Sequence, residues 1–223
     1  MIKPPQSNGC TCEISAPFTF ALGTVDHEPA TPQIYSTRGP SRPAKHIYID
    51  FGGMGDHHDP QGNLYVAAVT HRPTPKIPIM QFRANLKYYE GGRGIAHSSI
   101  FTKIENSDIP FVFATRAHGL KSATIPLSKK DDTTQRKWTV ALGFAAPPGD
   151  TLGKRVFDVK LEGKTVLEDF DPVKEAGAPD KVIWKQFEGI EAAETLSIEF
   201  VSASETPGLD EMPILNAAKI LRQ

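Results

Sequence analysis

The stretch that decides the fold is Arg155-Val-Phe-Asp-Val-Lys-Leu-Glu-Gly163, continued by Lys164-Thr-Val-Leu-Glu-Asp-Phe-Asp171 and then Glu175-Ala-Gly177. Phe157, Val159 and Leu161 alternate with Asp158, Lys160 and Glu162. A period of two places the three apolar side chains on one face of a strand and the charged ones on the other. Glu162-Gly163-Lys164 supplies a short turn, and Val166, Leu167 and Phe170 supply the apolar run of a second strand. The stretch reads as a hairpin with Phe157, Val159 and Leu161 pointing into a core.

The same alternation recurs on both sides of it. Ile47, Ile49 and Phe51 alternate with Tyr48 and Asp50 and run into Gly52-Gly53. Trp138, Val140, Leu142 and Phe144 alternate with Thr139, Ala141 and Gly143, and Leu196, Ile198 and Phe200 with Ser197 and Glu199. Ile109–Phe113 and Ala123–Leu127 read as short strands, and Ile214–Leu221 as the last one. The segment between Val66 and Ile109, with Pro73, Pro75, Pro78, Gly91, Gly92 and Gly94, reads as a long irregular region that carries function or folds over it. No segment keeps a helical period over three turns, and Pro172–Ala178 supports a single turn. The expected fold is therefore all-β: an antiparallel sandwich of two stacked sheets, with long loops and little helix.

Residues 1–45 differ in texture. Seven prolines between Pro4 and Pro43 preclude continuous helix or central strand. Phe18, Phe20 and Leu22 allow one short edge strand, and Thr37–Pro43 reads as a linker into a main domain at 46–223. With 25 basic and 26 acidic side chains, nothing electrostatic favours nucleic acid or an anionic membrane as partner. No run of 18 apolar residues encodes a membrane span, and Met1–Asn8 lacks the pattern of a secretory signal. Cys10 and Cys12 are too close for an unstrained bridge and too few for a structural zinc site. They read either as free thiols in a disordered end or as partners of cysteines in an upstream segment.

Catalytic motifs are missing. There is no Gly-x-Ser-x-Gly elbow, and His27-Glu28 is followed by Pro29 without a second zinc-spaced histidine. Gly52-Gly-Met-Gly55 precedes no long helix that could meet a pyrophosphate. The densest polar cluster is Asp56-His57-His58-Asp59. Asp56 and Asp59 are oxygen ligands suited to a structural calcium, while Asp59-Pro-Gln-Gly62 is also ordinary turn chemistry. Asp169 and Asp171, two apart, read as solvated strand-end carboxylates on one side. Tyr65, Phe82, Tyr88 and Tyr89 are aromatics that could stack on a sugar ring, whereas Trp184 reads as core.

Taken together, Arg155-Val-Phe-Asp-Val, Leu161-Glu-Gly163, Val166-Leu167, Asp169-Phe-Asp171 and Glu175-Ala-Gly177 resemble the signature of malectin-like domains. Ile49-Asp-Phe-Gly-Gly53, Leu142-Gly-Phe-Ala145, Leu196–Phe200 and Pro213–Ile220 extend the resemblance over roughly residues 46–221. It implies a galactose-binding-like jelly roll that binds carbohydrate and has no catalytic residues. Ligand contacts are then expected from loop aromatics, for which Tyr65, Tyr88 and Tyr89 are the candidates. They are also expected from an aspartate just before the final strand, matched by Asp210 with Glu211 beside it. The aromatic pair that animal malectin carries before Val-Phe-Asp-Val is replaced by Pro148 and Gly149.

A second resemblance, of Asn8-Gly-Cys-Thr-Cys12 and Ser107–Ala114 with His118-Gly119, is to bacterial quinoprotein-like β-propeller proteins with a C-terminal malectin-like domain. It implies an upstream domain and an extracellular or periplasmic parent protein. The expectation is a non-catalytic carbohydrate-binding module, with no cofactor beyond a possible structural calcium. The alternative is an assembly domain that packs on an upstream propeller without binding sugar.

Overall fold

The computed structural model describes residues 43–53, 55–68, 84–97 and 102–223, together with the backbone of three short strands upstream. Those three, β1 (Phe20–Leu22), β2 (Gln33–Ser36) and β3 (Gly39–Pro40), form a small antiparallel sheet. Strand β3 falls in the stretch read as linker. Cys10, Cys12 and Phe82 lie outside the described residues.

The remaining strands, in chain order, are β4 (His46–Asp50), β5 (His57–His58), β6 (Leu64–Ala67), β7 (Asn85–Ala96), β8 (Thr115–Pro126) and β9 (Arg136–Phe144). They are followed by β10 (Phe157–Leu161), β11 (Lys164–Phe170), β12 (Ile183–Ala192), β13 (Thr195–Ser202), β14 (Ile214–Leu215) and β15 (Ala217–Arg222). Among the described residues two one-turn helices accompany the strands, α1 (Pro110–Phe113) and α2 (Pro172–Ala176). One sheet runs β11-β10-β13-β8-β14, with β7 paired to β8. The other runs β12-β9-β15-β4-β6-β5. Among the described residues all pairings are antiparallel except β4 with β6 and the isolated bridge Glu105–Lys181. This is the expected all-β sandwich.

The deciding hairpin forms as its alternation dictates. Phe157, Val159 and Leu161 are buried between the sheets, and β10 pairs with β11 across Glu162-Gly163. Both turn residues have positive φ, 48° and 76°, as a tight two-residue turn matching strand twist requires. The core is closed from the facing sheet by Ile47, Ile49, Trp138, Val140, Leu142 and Ile220, all nearly inaccessible. Burying side chains of this size contributes roughly 1.5–3 kcal/mol each.

Four expectations need correction. Ile109–Phe113 is not a strand: Pro110 starts the single turn α1, because its fixed φ and missing N–H suit a first helical position. The region between Val66 and Ile109 is not all irregular: Asn85–Ala96 is a twelve-residue strand paired with β8. Gly91 and Gly92 occupy the interruption of that pairing between Tyr88 and Arg93, so they mark a bulge in a strand, while Gly94 pairs in register with Ala117. Asp171 is not solvated but buried, capping α2 by accepting from the backbone of Val173 and Lys174 at 2.9 and 3.2 Å. The last strand is two, β14 and β15, divided at Asn216 so that each joins a different sheet.

Segment 102–113 with α1 covers the outer face of the second sheet. Period two leaves Tyr48 and Tyr65 outward on β4 and β6, where α1 encloses them in a second apolar cluster with Val112, Phe113 and Val182. Trp184 is half-buried at its edge, and its ring meets that of Phe113 edge-on at 5.3 Å.

Candidate functional site

Five connections meet at one end of the sandwich: the described residues of 51–56 and 97–114, together with 145–156, 171–182 and 203–213. Buried side chains and backbone hydrogen bonds fasten them to each other. Arg155, 1% exposed, forks onto Asp150, with Nε to Oδ2 at 2.6 Å and Nη2 to Oδ1 at 3.1 Å. Its Nη1 donates to the carbonyls of Met212 and Leu209, which ties the 145–156 loop to the 203–213 loop. Asp171 Oδ2 accepts from Gly153 N at 2.6 Å, joining the first of these loops to α2. Asp180 N donates to Ala146 O and Glu105 N donates to Asp180 O, both at 2.9 Å.

Loop 51–53 lies flat on the start of β8. A Cβ on Gly52 would stand 2.0 Å from the backbone nitrogen of Arg116, so only glycine permits this approach. Behind it, Asp50 is fully buried. Its Oδ1 accepts from Gly52 N and Gly53 N at 3.1 and 2.7 Å and meets Thr115 Oγ1, while Oδ2 has no partner. The Thr115 hydroxyl also lies 2.8 Å from Val112 O, and it has one proton for two acceptors. Desolvation, opposed by the hydrogen bonds from Thr115, Gly52 and Gly53, pushes the pKa of Asp50 from 3.8 up to about 6.

A pH prediction follows from that shift. The folded state holds the Asp50 proton more tightly than the unfolded chain, so the stabilisation from neutral Asp50 is complete below about pH 4 and is lost as pH rises through about 6. A shift of this size is worth on the order of 3 kcal/mol. Urea unfolding of wild type and Asp50→Asn is expected to show the variant gaining that amount relative to wild type between pH 4 and pH 7.5. A constant difference across that range would refute the shift.

Cationic and carboxylate side chains gather at this end. Arg116 is 5% exposed; its Nη2 lies 3.2 Å from Nε2 of the exposed His97, and its Nε is buried without a partner. Burial and the neighbouring Arg155 weaken its hold on the proton, while Asp180 and Asp150 strengthen it. His118 Nε2 contacts Leu209 O at 2.6 Å, and a carbonyl can only accept, so this nitrogen carries the proton and Nδ1 is left bare and buried. Burial lowers the pKa of His118. On the rim, Lys154 Nζ lies 3.1 Å from Asp210 and 3.4 Å from Glu211, in an exposed cluster.

The anticipated ligand residues separate into three places. Asp210 and Glu211 lie together on the 203–213 loop, at the end just described. Tyr88 and Tyr89 lie on β7, half-buried. Tyr88 packs toward the core, and the Tyr89 hydroxyl donates to Phe200 O and accepts from Ser202 N, both at 3.1 Å. That hydroxyl completes the edge of β13 where its pairing with β8 ends at Glu199. The β7 bulge does reach the 203–213 loop, since a Cβ on Gly91 would lie 3.9 Å from Met212 Cε. Tyr65 is elsewhere: at 0% exposure under α1, it presents no free ring face, because the helical turn covers the outer sheet surface.

The carboxylates of the Asp56–Asp59 turn are engaged by their own loop. Asp56 Oδ1 accepts from Ala67 N at 3.0 Å. Asp59 accepts from Gln61 N, Asn63 N and Asn63 Nδ2 at 3.0, 2.7 and 2.8 Å. Among the described residues no group of three or more His, Cys, Asp or Glu is arranged to hold a metal ion. Nothing in the sequence marked Arg116, Asp150 or Asp180 as site residues, and His118 entered only through the second resemblance. A histidine and an arginine two apart on one strand were visible, but their burial beneath a distant loop was not.

Among the described residues no helix is long and apolar enough to cross a membrane. No curated protein matches the sequence. The sequence profile of the Malectin domain matches residues 47–208. Among solved structures, the chain is similar to beta-glucuronidase 2 of Bacteroides uniformis, with TM-score 0.58 and 17% identity over 80% of this chain and 18% of that one. It is also similar to the ANXUR2 extracellular domain from Arabidopsis thaliana, with TM-score 0.55 and 13% identity over 80% of this chain and 41% of that one. The ANXUR1 extracellular domain from the same plant gives TM-score 0.58 and 13% identity over 79% and 47%. The chain thus spans less than half the length of each of these proteins. At such identities the likeness is one of fold.

Proposed function

The chain belongs to the malectin domain family, and from that premise we propose that it is a non-catalytic carbohydrate-binding module whose ligand sits at the loop end of the sandwich. The observation that carries this reading is the convergence of five connections on a cluster of cationic and carboxylate side chains, matched over residues 47–208 to a family of generally carbohydrate-binding domains. Exposed Asp210 and Glu211 accept hydrogen bonds from sugar hydroxyls there, and Lys154 between them both orients the carboxylates and donates. Tyr89, on the adjoining bulge of β7, is the aromatic best placed to border the same ligand, with its hydroxyl already engaged. Pro148 and Gly149 at the tip of the 145–156 loop offer no stacking ring, so affinity rests on polar contacts and specificity differs from that of animal malectin. The ligand class is glucan-like oligosaccharide or polysaccharide. Because the similar structures are parts of longer chains, the module is proposed to be appended to a larger extracellular protein in which any catalysis lies elsewhere.

A glycan array that includes glucans and plant and algal polysaccharides tests this. Binding above background is expected, weakened at least fivefold by Asp210→Ala without a change in melting temperature, since that side chain is 59% exposed. No binding across the array would remove the lectin reading and leave the assembly role.

A further inference from the structure

The four-residue turn α1 has no side-chain cap at its N-terminus, and two side chains reach the carbonyls of its last residues. Asn216 Nδ2 donates to Phe113 O at 3.0 Å, and Thr115 Oγ1 lies 2.8 Å from Val112 O. The amide donates at any pH. The hydroxyl has a second claimant, because Thr115 Oγ1 also meets Asp50 Oδ1, and its one proton satisfies one acceptor at a time. Oδ1 of the fully buried Asp50 accepts from Gly52 N and Gly53 N as well. Its Oδ2 is buried without a partner against Gly53, where a Cβ would stand 2.3 Å away. Of the charged groups around it, the exposed His57 on β5 acts on it most and favours the ionised form. Arg116 on β8 turns to His97, Lys219 on β15 lies over the Trp184 ring, and burial keeps Tyr65 of β6 neutral. Neither α1 nor the 51–53 loop carries a titratable side chain.

We propose that Asp50 and Thr115 form a proton-operated latch on α1, the turn that covers Tyr65 on the outer face of the second sheet. The latch goes beyond the carbohydrate reading and does not rest on it. When Asp50 is ionised, its charge makes Oδ1 the stronger acceptor, and the Thr115 hydroxyl donates there. Val112 O then loses this donor, and of the two side-chain ties only that of Asn216 remains. A proton taken up from solvent goes to Oδ2, because Oδ1 already takes three donors. Oδ1 of the neutral carboxyl is an ordinary acceptor that the two glycine N–H groups satisfy, and the hydroxyl turns to Val112 O. Acid therefore closes the latch and rising pH releases it. Beneath the turn Tyr65 is 0% exposed, and Phe113 meets Trp184 edge-on at 5.3 Å. Opening uncovers an aromatic face on the outer sheet.

The experiment follows the full chain, labelled with carbon-13 and nitrogen-15, between pH 4 and pH 8. The carboxyl carbon shift of Asp50 reports its ionisation. Amide hydrogen exchange, corrected for the intrinsic rate at each pH and repeated in low urea, reports the opening of α1. Asp50 is expected to titrate near pH 6. Protection of the Val112 and Ala114 amides is expected to fall about tenfold with the same midpoint, through an opening that urea barely promotes. In Thr115→Val, Asp50 should still titrate while the step in both amides disappears and their exchange stays fast. In Asp50→Asn the step should disappear with the amides staying protected. The wild-type curves decide the matter even if either variant fails to fold. Level protection of α1 while Asp50 titrates would overturn the latch, as would an Asp50 that does not titrate in this range. So would exchange in α1 that matches Val140 and Ile198 of the core in rate and urea dependence, since global unfolding would then account for it.

Discussion

Replacing Arg155 with methionine is expected to lower the unfolding free energy by about 3–5 kcal/mol, the cost of breaking a buried ion pair from one side. Methionine preserves much of the volume, so packing contributes little to the difference. What is lost is the fork onto Asp150 and the donation to two loop carbonyls. Asp150, whose side chain is only 8% exposed, would be left as an uncompensated buried carboxylate, and the 145–156 and 203–213 loops would lose their tie. Equilibrium unfolding in urea measures the stability. Amide hydrogen exchange is expected to rise first in Leu209–Met212. The double variant Arg155→Met/Asp150→Leu should recover a large part of the loss, because removing both charges leaves none stranded. A loss below 1 kcal/mol in the single variant would contradict the buried-pair account.

Asn216→Ala is expected to cost about 3–5 kcal/mol as well, by a different route. Asn216 is fully buried between β14 and β15. Its Nδ2 donates to Phe113 O and Thr115 O at 3.0 and 2.7 Å, and its Oδ1 accepts from Ala145 N at 2.8 Å. One amide thus satisfies three backbone groups belonging to α1, the start of β8 and the end of β9. Truncation strands all three, at roughly 1–3 kcal/mol each before water enters the cavity. Asn216→Asp tests the polarity of the arrangement: a carboxylate cannot donate to two carbonyls, so it should be at least as damaging. Thermal unfolding of the two variants makes the comparison. If Asn216→Asp were neutral, the hydrogen-bond assignment of the amide would be wrong.

These two residues also mark how far the sequence could be read. Phe157, Val159 and Leu161 are buried as their alternation requires, and the positive φ of Glu162 and Gly163 follows from the two-residue turn. Periodicity is a local property, so strands with one buried face declare themselves. Strand β7 did not, because its exposed positions and its glycine bulge imitate a loop. Asn216 interrupts an apolar run that reads as one strand, and only the change of sheet explains it. The resemblance pointed to Asp210 and Glu211, which the structure places together beside Lys154. Burial of Tyr65 by α1 could not be anticipated, since an outward residue on a strand is solvated or covered according to what a distant segment does.

By itself, then, the sequence determined the all-β class, the hairpin at its centre and the family to which the chain belongs, because each rests on local period, turn chemistry or motif. The tertiary structure decided which charges are buried. It drove Arg116, His118, Arg155 and Asp50 out of water and left some of their atoms unmatched. The physical reason is that desolvation depends on the segments that close over a side chain, and these come from 54 residues away for Arg155 and Leu209 to 91 for His118 and Leu209.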